Sequence, residues 1–208
     1  MGKTLVTAAL ALALKERGVD VGVVKAVQTG EGDAETLKRW AELTEGPEEI
    51  APLAFAAPLA PLVAARLEAR TLELDDTAAR VRALGDRHEV TLVEGAGGLL
   101  VPVGPDWTIG DLASALGLPI VVVARAGLGT VNHTLLTVSE ARRLGLVVHG
   151  VILNGREDRS TETNAELIES FGDIRVLAQI PWLEGEITAA RLRRLDLDFG
   201  LVLHACAS

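Results

Sequence analysis

Apolar positions in this chain come in blocks separated by short polar stretches that carry glycine or proline. The first block, from about Thr4 to Arg17, is apolar almost all round, which predicts a helix buried against a sheet and stopped at Gly18. "VDVGVVKAV" follows as a β-branched run of strand length, then the polar loop "QTGEGD", then a helix over "AETLKRWAEL". Pro47 to Pro61 reads as irregular, "LVAARLEAR" as helix, and "DDTAARVRAL" as a helix capped by Asp75 or Asp76. From there the alternation is regular. "VTLVEG", "PIVVVA", "VVHGVILN" and "RVLAQIP" read as strands, and the segments after them, "IGDLASAL", "TVNHTLLTVSEARRLG", "ETNAELIESFG" and "EITAARLRRL", as helices. Strands alternating with helices predict an α/β fold, a mainly parallel sheet with helices on both faces, and the near-continuous apolar strands agree.

Composition narrows the function classes. The 208 residues are read as one domain, 1–208, with 49% apolar residues to fill its core and only 3% aromatic ones, so Leu, Val and Ala must supply the packing. A balance of 20 basic against 29 acidic residues, net −9, offers no broad surface for nucleic acid or anionic lipid. The single cysteine, Cys206, excludes an internal disulfide and any multi-cysteine zinc site. The apolar run of the first helix stops at Lys15-Glu16-Arg17 and has no cleavage region after it, so a cytoplasmic protein without leader or membrane span is expected.

Ligands of parallel sheets bind at the carboxyl ends of the strands, and the polar motifs of this chain sit there. Lys25 closes the first predicted strand, where an ammonium can hold phosphate oxygens; Thr29 follows with a hydroxyl and Asp33 with a hard carboxylate oxygen or a helix cap. Glu94 closes the next strand ahead of Gly95, Ala96, Gly97 and Gly98, and a carboxylate pair with Asp33 matches what Mg²⁺ takes from protein. Gly127-Leu128-Gly129 opens a helix whose free amides favour a carboxylate or phosphate, with Asn132 and a packed or capping His133 in its first turn. Asn154 can read the edge of a base, and Trp182 either covers a flat ring or fills core. Gly2-Lys3-Thr4 ahead of an apolar helix is how a phosphate-binding loop ends: Lys3 would reach the terminal phosphates, and the Thr4 hydroxyl would take the metal. Together these motifs suggest a nucleoside triphosphate with Mg²⁺.

"GKT", "VVKAVQTG", "GDAETL", "FAAPLAP", "VEGAGGLLVP", "GLGTVNHTLLT", "VILNG" and "QIPWL", in that order, resemble the dethiobiotin synthetase family of phosphate-loop enzymes over essentially the whole chain. The resemblance implies ATP- and Mg²⁺-dependent closure of a cyclic urea from 7,8-diaminopelargonate and CO₂, through a carbamate and a carbamic-phosphoric anhydride. It implies that Lys25 and Lys3 are catalytic, Lys25 bridging carbamate and γ-phosphate, and that Thr4, Asp33 and Glu94 hold the metal. Gly2, Gly95, Ala96 and Gly97 would lie along the nucleotide, with Asn154, Gly155, Pro181, Trp182 and Leu183 around the adenine. Thr29 would touch the amine or carbamate end, and Gly127, Leu128, Gly129 and Asn132 the substrate carboxylate across a homodimer.

The chain departs from the family pattern in three places. Ala26 stands where proline usually follows the lysine, which is expected to loosen the aim of Lys25. Ala60-Pro61-Leu62 replaces Ser-Pro-His. The opening strand and the first half of the phosphate loop are missing from the chain as written, apparently a truncation, which an initiation site assigned too far downstream would explain. That strand belongs inside the sheet, so its neighbours are expected to expose edges or to pair with something else. Two other readings remain open at this point: a different phosphate-loop enzyme, such as a cobyrinate-synthase-like or partitioning ATPase, and a degenerate homologue that binds ligand without turnover.

Overall fold

The computed structural model describes residues 2–195, so Cys206 lies outside the described residues. The chain begins in helix α1 (Lys3–Lys15), whose buried residues lie on nearly every side, and turns at Gly18 with φ 81°. There the amides of Gly18 and Val19 return to the Lys15 and Leu14 carbonyls, satisfying groups that the helix end would otherwise leave open. Strand β1 (Val21–Lys25) follows, then the two-residue strand β2 (Gln28–Thr29), α2 (Asp33–Trp40), α3 (Pro47–Ile50), β3 (Ala54–Phe55), α4 (Pro61–Leu67) and α5 (Leu74–Gly85). The rest is β4 (Val90–Glu94), α6 (Ile109–Leu116), β5 (Ile120–Arg125), α7 (Thr130–Arg143), β6 (Val148–Asn154), α8 (Thr161–Gly172), β7 (Val176–Ile180) and α9 (Ala189–Leu192). Among the described residues no helix is long and apolar enough to cross a membrane.

Every strand pair is parallel, β1 with β4, β2 with β3, and β5–β6–β7 in that order. Helices cover both faces, as the alternation along β1 shows. Val21 and Val23 pack with α1, whereas Val24 joins the opposite cluster with Ala78 and Val81 of α5 and Leu112 of α6. On β6, Ile152 faces the α1 cluster, and Val151 and Leu153 face Val138 of α7 and Ile168 of α8. Helix α1 therefore packs under both groups of strands and ties them together.

Between those groups the ladder is interrupted, as the sequence anticipates. Strands β4 and β5 do not pair with each other; between them runs a slot of about 590 Å³ lined by residues 89–93 of one side and 120–125 of the other. Their apolar side chains are mostly half-buried, in contrast with β1, where all five residues are buried.

Local details correct some of the expected boundaries. Helix α5 starts at Leu74 with Glu73 at its N-cap, so Asp75 and Asp76 lie in its first turn, where carboxylates suit the helix dipole without capping it. Helix α4 ends at Leu67, the expected helix over 186–195 contracts to α9 with Thr188 as its cap, and the irregular stretch contains α3 with Pro47 at its first position.

Candidate active site

The carboxyl ends of β1 and β4 meet at a register pair, Lys25 opposite Glu94. Side chains at such a pair project to the same face, and the Lys25 Nζ lies 2.6 Å from Glu94 Oε1. The same ammonium is 2.7 Å from Asp33 Oδ2, on the first residue of α2. The N-cap of α2 is Gly32, with φ 94°, which frees the Asp33 carboxylate to reach inward; the capping alternative for Asp33 is thereby excluded. Thr4, the second residue of α1, donates from Oγ1 to Glu94 Oε1 at 3.0 Å.

These residues line one polar cavity of about 190 Å³, together with Gly2, Lys3, Val27, Thr29, Ala96 and Gly97. Thr29 is held there by the pairing of β2 with β3, and Gln28 organises the loop that leads from β2 into α2. Its Oε1 accepts from the Ala34 amide at 2.8 Å, and its Nε2 donates to the Gly30 carbonyl at 3.3 Å.

Ala26 does not loosen Lys25. It is fully buried, and its N–H donates to the Glu94 carbonyl at 3.1 Å, a bond that proline has no hydrogen to make. The ladder thus runs one residue beyond the charged pair and fixes what the ring would have fixed.

The electrostatics divide the two lysines. Burial alone would lower the pKa of Lys25, but the Glu94 charge and the hydrogen bonds to Asp33 and Glu94 outweigh it and hold the ammonium above its ordinary 10.5. Lys3 is pushed below 10.5, first by burial and then by the charge of Lys25, with Glu94 and Asp33 pulling only partly the other way. A lysine left short of negative charge at a loop of backbone amides suits a phosphate.

Hard oxygen donors also converge here. Glu94 Oε2 is buried and has no hydrogen-bond partner among the described residues; its carboxylate takes the Thr4 hydroxyl and shares Lys25 with Asp33. Among the described residues no three His, Cys, Asp or Glu side chains gather into a metal cage. Two carboxylates and a hydroxyl instead fit an ion that fills its shell with phosphate and water, as Mg²⁺ does.

The remaining predicted residues form a rim. Gly95 lies on the apolar slot and against Ile109, not on the polar cavity. Asn154 closes β6 so near Gly2 that a Cβ there would run into its amide, and Gly2 itself has φ 77°. Gly155 follows with φ 117°, its amide donating to the Ile180 carbonyl at 3.3 Å. Trp182 is 52% exposed with the Arg156 guanidinium 4.9 Å from its ring centroid, which rules out the core reading; Pro181 is exposed, and Leu183 packs on the α1 cluster.

Gly129 caps α7 with φ 88°, but the amide of the exposed Leu128 donates to Asp158 Oδ2 at 2.8 Å. A carboxylate of the chain's own β6–α8 loop thus holds one of the amides expected to receive a substrate carboxylate. Asn132 and His133 are exposed, and the His133 Nδ1 lies 3.4 Å from Arg125 Nη2, so His133 is neither packed nor a cap.

Arg125, Asp158 and Gln28 are absent from the sequence-level site. Arg125 could have been found by the rule that singled out Lys25, since both are charges closing an apolar strand. Asp158 and Gln28 act through loop geometry that no spacing encodes.

Known proteins resemble this chain over most of its length. Residues 1–189 match a protein family described as an AAA domain. An ATP-dependent dethiobiotin synthetase of Bacillus licheniformis is 44% identical over 193 residues, covering 88% of this chain and 82% of the relative. One from Anaeromyxobacter dehalogenans is 47% identical over 208 residues, covering 96% and 92%. Among solved structures, the signal recognition particle 54 kDa protein of Aeropyrum pernix, crystallised with GDP, aligns with a TM-score of 0.50 at 19% identity. It covers 98% of this chain and 46% of that one, a likeness in fold alone.

Proposed function

The chain belongs to the ATP-dependent dethiobiotin synthetase family, and on that premise we propose that its polar cavity joins 7,8-diaminopelargonate, CO₂ and ATP into dethiobiotin. One amine captures CO₂ as a carbamate and loses a proton. A carbamate oxygen then attacks the γ-phosphorus and expels ADP, and the second amine attacks the carbamoyl carbon, expelling phosphate and closing the urea. Phosphoryl transfer of this kind is accelerated mainly by positioning and by neutralising charge.

The observation that carries the reading is the gathering of Lys3, Thr4, Lys25, Thr29, Asp33 and Glu94 around one cavity of about 190 Å³. In it Lys3 binds the terminal phosphates, Lys25 neutralises the oxygens between carbamate and γ-phosphate, and Thr29 orients the amine end. Gly2, Ala96 and Gly97 let the triphosphate approach backbone, whereas Gly95, on the slot side, is left out of that wall. Asn154 and Gly155 read the adenine edge, with Pro181, Trp182 and Leu183 covering its ring. Thr4, Asp33 and Glu94 would hold Mg²⁺, which when bound neutralises phosphate charge. Gly127, Leu128, Gly129 and Asn132 receive the substrate carboxylate across a homodimer, once Asp158 yields the Leu128 amide. We assign the whole to a single cytoplasmic domain.

Incubating the protein with diaminopelargonate, bicarbonate and Mg-ATP tests this directly. Dethiobiotin, ADP and phosphate in equal amounts are expected, with Lys25→Ala as the inactive control. ATP turnover that ignores diaminopelargonate, or full activity in Lys25→Ala, overturns it.

A further inference from the structure

The proposed chemistry asks Lys25 to stand between carbamate and γ-phosphate, yet its ammonium is committed to two carboxylates. Nζ sits 2.6 Å from Glu94 Oε1 and 2.7 Å from Asp33 Oδ2, and the side chain is 5% exposed. An ammonium has three donors, and two of them are spent here. Glu94 Oε1 accepts from both Lys25 and Thr4, which fills the two lone-pair directions of that oxygen. Asp33 and Glu94 are also the carboxylates that the proposed function gives to the divalent ion.

An ion held by the Thr4 hydroxyl and these carboxylates would stand beside the ammonium, and the Lys25 and Glu94 side chains, 5% and 1% exposed, leave little room for water to screen like charges on that side, although Asp33 is open to solvent. Lysine and metal therefore compete for one pair of counter-ions.

We propose that Lys25 is the resident counter-ion of Asp33 and Glu94, and that metal entry and release of Lys25 toward the reacting oxygens are a single exchange. The inference rests on the metal and lysine roles proposed above and adds an order to them. Metal alone must evict a hydrogen-bonded lysine with nowhere to put its charge, so it binds weakly. An anion at the Thr29 end of the cavity gives the ammonium a new partner, and the carboxylates are then free. Lys25 thereby makes tight metal binding conditional on the carbamate.

Free Mn²⁺, counted by electron paramagnetic resonance in the absence of nucleotide, reads the exchange without any turnover. Lys25→Met keeps the bulk of the side chain and removes its charge; Mn²⁺ binding is expected to tighten on the order of tenfold or more, as when a like charge leaves a buried site. Diaminopelargonate with bicarbonate should tighten Mn²⁺ binding to the unaltered protein and leave Lys25→Met unchanged. Adding Asp33→Asn or Glu94→Gln to Lys25→Met should abolish the gain. Because the variant leaves two carboxylates without their cation, a second readout uses the unaltered chain: labelling of Lys25 by an amine-reactive reagent should speed up when Mn²⁺ is added. Unchanged Mn²⁺ affinity in Lys25→Met, or unchanged labelling of Lys25, overturns the exchange. Should either result come while the unaltered protein still forms dethiobiotin and Lys25→Ala does not, the exchange alone falls. If Mn²⁺ binds neither protein even with ATP, the metal assignment fails and takes the exchange with it.

Discussion

Two cavities share a wall at Lys3 and Gly97 and are opposite in kind. The polar one, about 190 Å³, is small, and its charged groups pair with one another. The apolar one, about 590 Å³, is three times larger and is bordered by strand edges whose backbone groups face no partner strand. Size points to the slot as the binding site, but chemistry does not. A pocket earns a reaction by convergent polar groups, and the slot is lined mainly by apolar side chains, with Thr91, Arg125, Thr134 and His149 among the exceptions. The slot is a structural gap beside a site.

The largest expected effect breaks the polar side. Lys25→Ala should lower dethiobiotin formation by about 10³-fold or more, since it removes a charge at the transferring phosphoryl group. Steady-state rates with saturating Mg-ATP check this, and a loss under tenfold would mean that the polar cavity is not where the chemistry occurs.

Next in size is a change to the slot. Fusing an extended, β-branched strand of five or six residues, joined to Gly2 by a short glycine-bearing loop, should add a ladder on each side. We expect a gain of about 3 kcal/mol and a melting temperature higher by roughly 6–12 °C. An unchanged melting curve would show that the slot is not shaped for a strand.

A third effect sharpens the contrast between the two lysines. Lys3 has a lowered pKa, so its proton is lost first as pH rises. Its charge costs the fold stability at neutral pH, and that cost is relieved as pH rises through its lowered value. Affinity for ATP should therefore fall with pH at values below 10.5, and Lys3→Arg should flatten the decline in a calorimetric pH series. Lys25 has a raised pKa, so the stability it contributes is fully present below 10.5 and is lost only as pH climbs through its higher value in the fold.

The smallest effect belongs to the slot's base. His149 lines it with Nε2 buried and without a hydrogen-bond partner among the described residues, and burial lowers its pKa below 6.5. The folded chain resists protonating it, so the stability tied to its neutral form is lost as pH drops below 6.5. Urea midpoints at pH 7 and pH 5 should converge slightly in His149→Leu.

Most of the polar side was legible from sequence because its residues end strands or open helices, and such positions are set by hydrophobic periodicity. Lys25, Asp33 and Glu94 are fixed by three different element ends, and the sheet brings them together. The slot was legible on other grounds, from the phosphate-loop and family pattern, which puts a strand ahead of Gly2-Lys3-Thr4. What escaped depends on loops and partners. Asp158 reaches the Leu128 amide through a turn it shares with Ser160, and Ala26 is anchored by a carbonyl on another strand. The helix over 186–195 was overestimated at its start, where the Thr188 side chain accepts from the Arg191 amide and begins α9 at Ala189.

The register pairing of Lys25 with Glu94 also fixes how the chain can change. Parallel neighbours lie ~4.8 Å apart, and their side chains switch face with every residue. A single-residue insertion or deletion within either strand would send one of the two groups to the opposite face and separate acid from base by the thickness of the sheet. Point substitutions along β1 and β4 can therefore be absorbed gradually, whereas frame-preserving indels there should be all-or-nothing. The two strands work as a vernier, and a designer moving this site to another scaffold would need to copy the alignment of the strands before copying any of the residues.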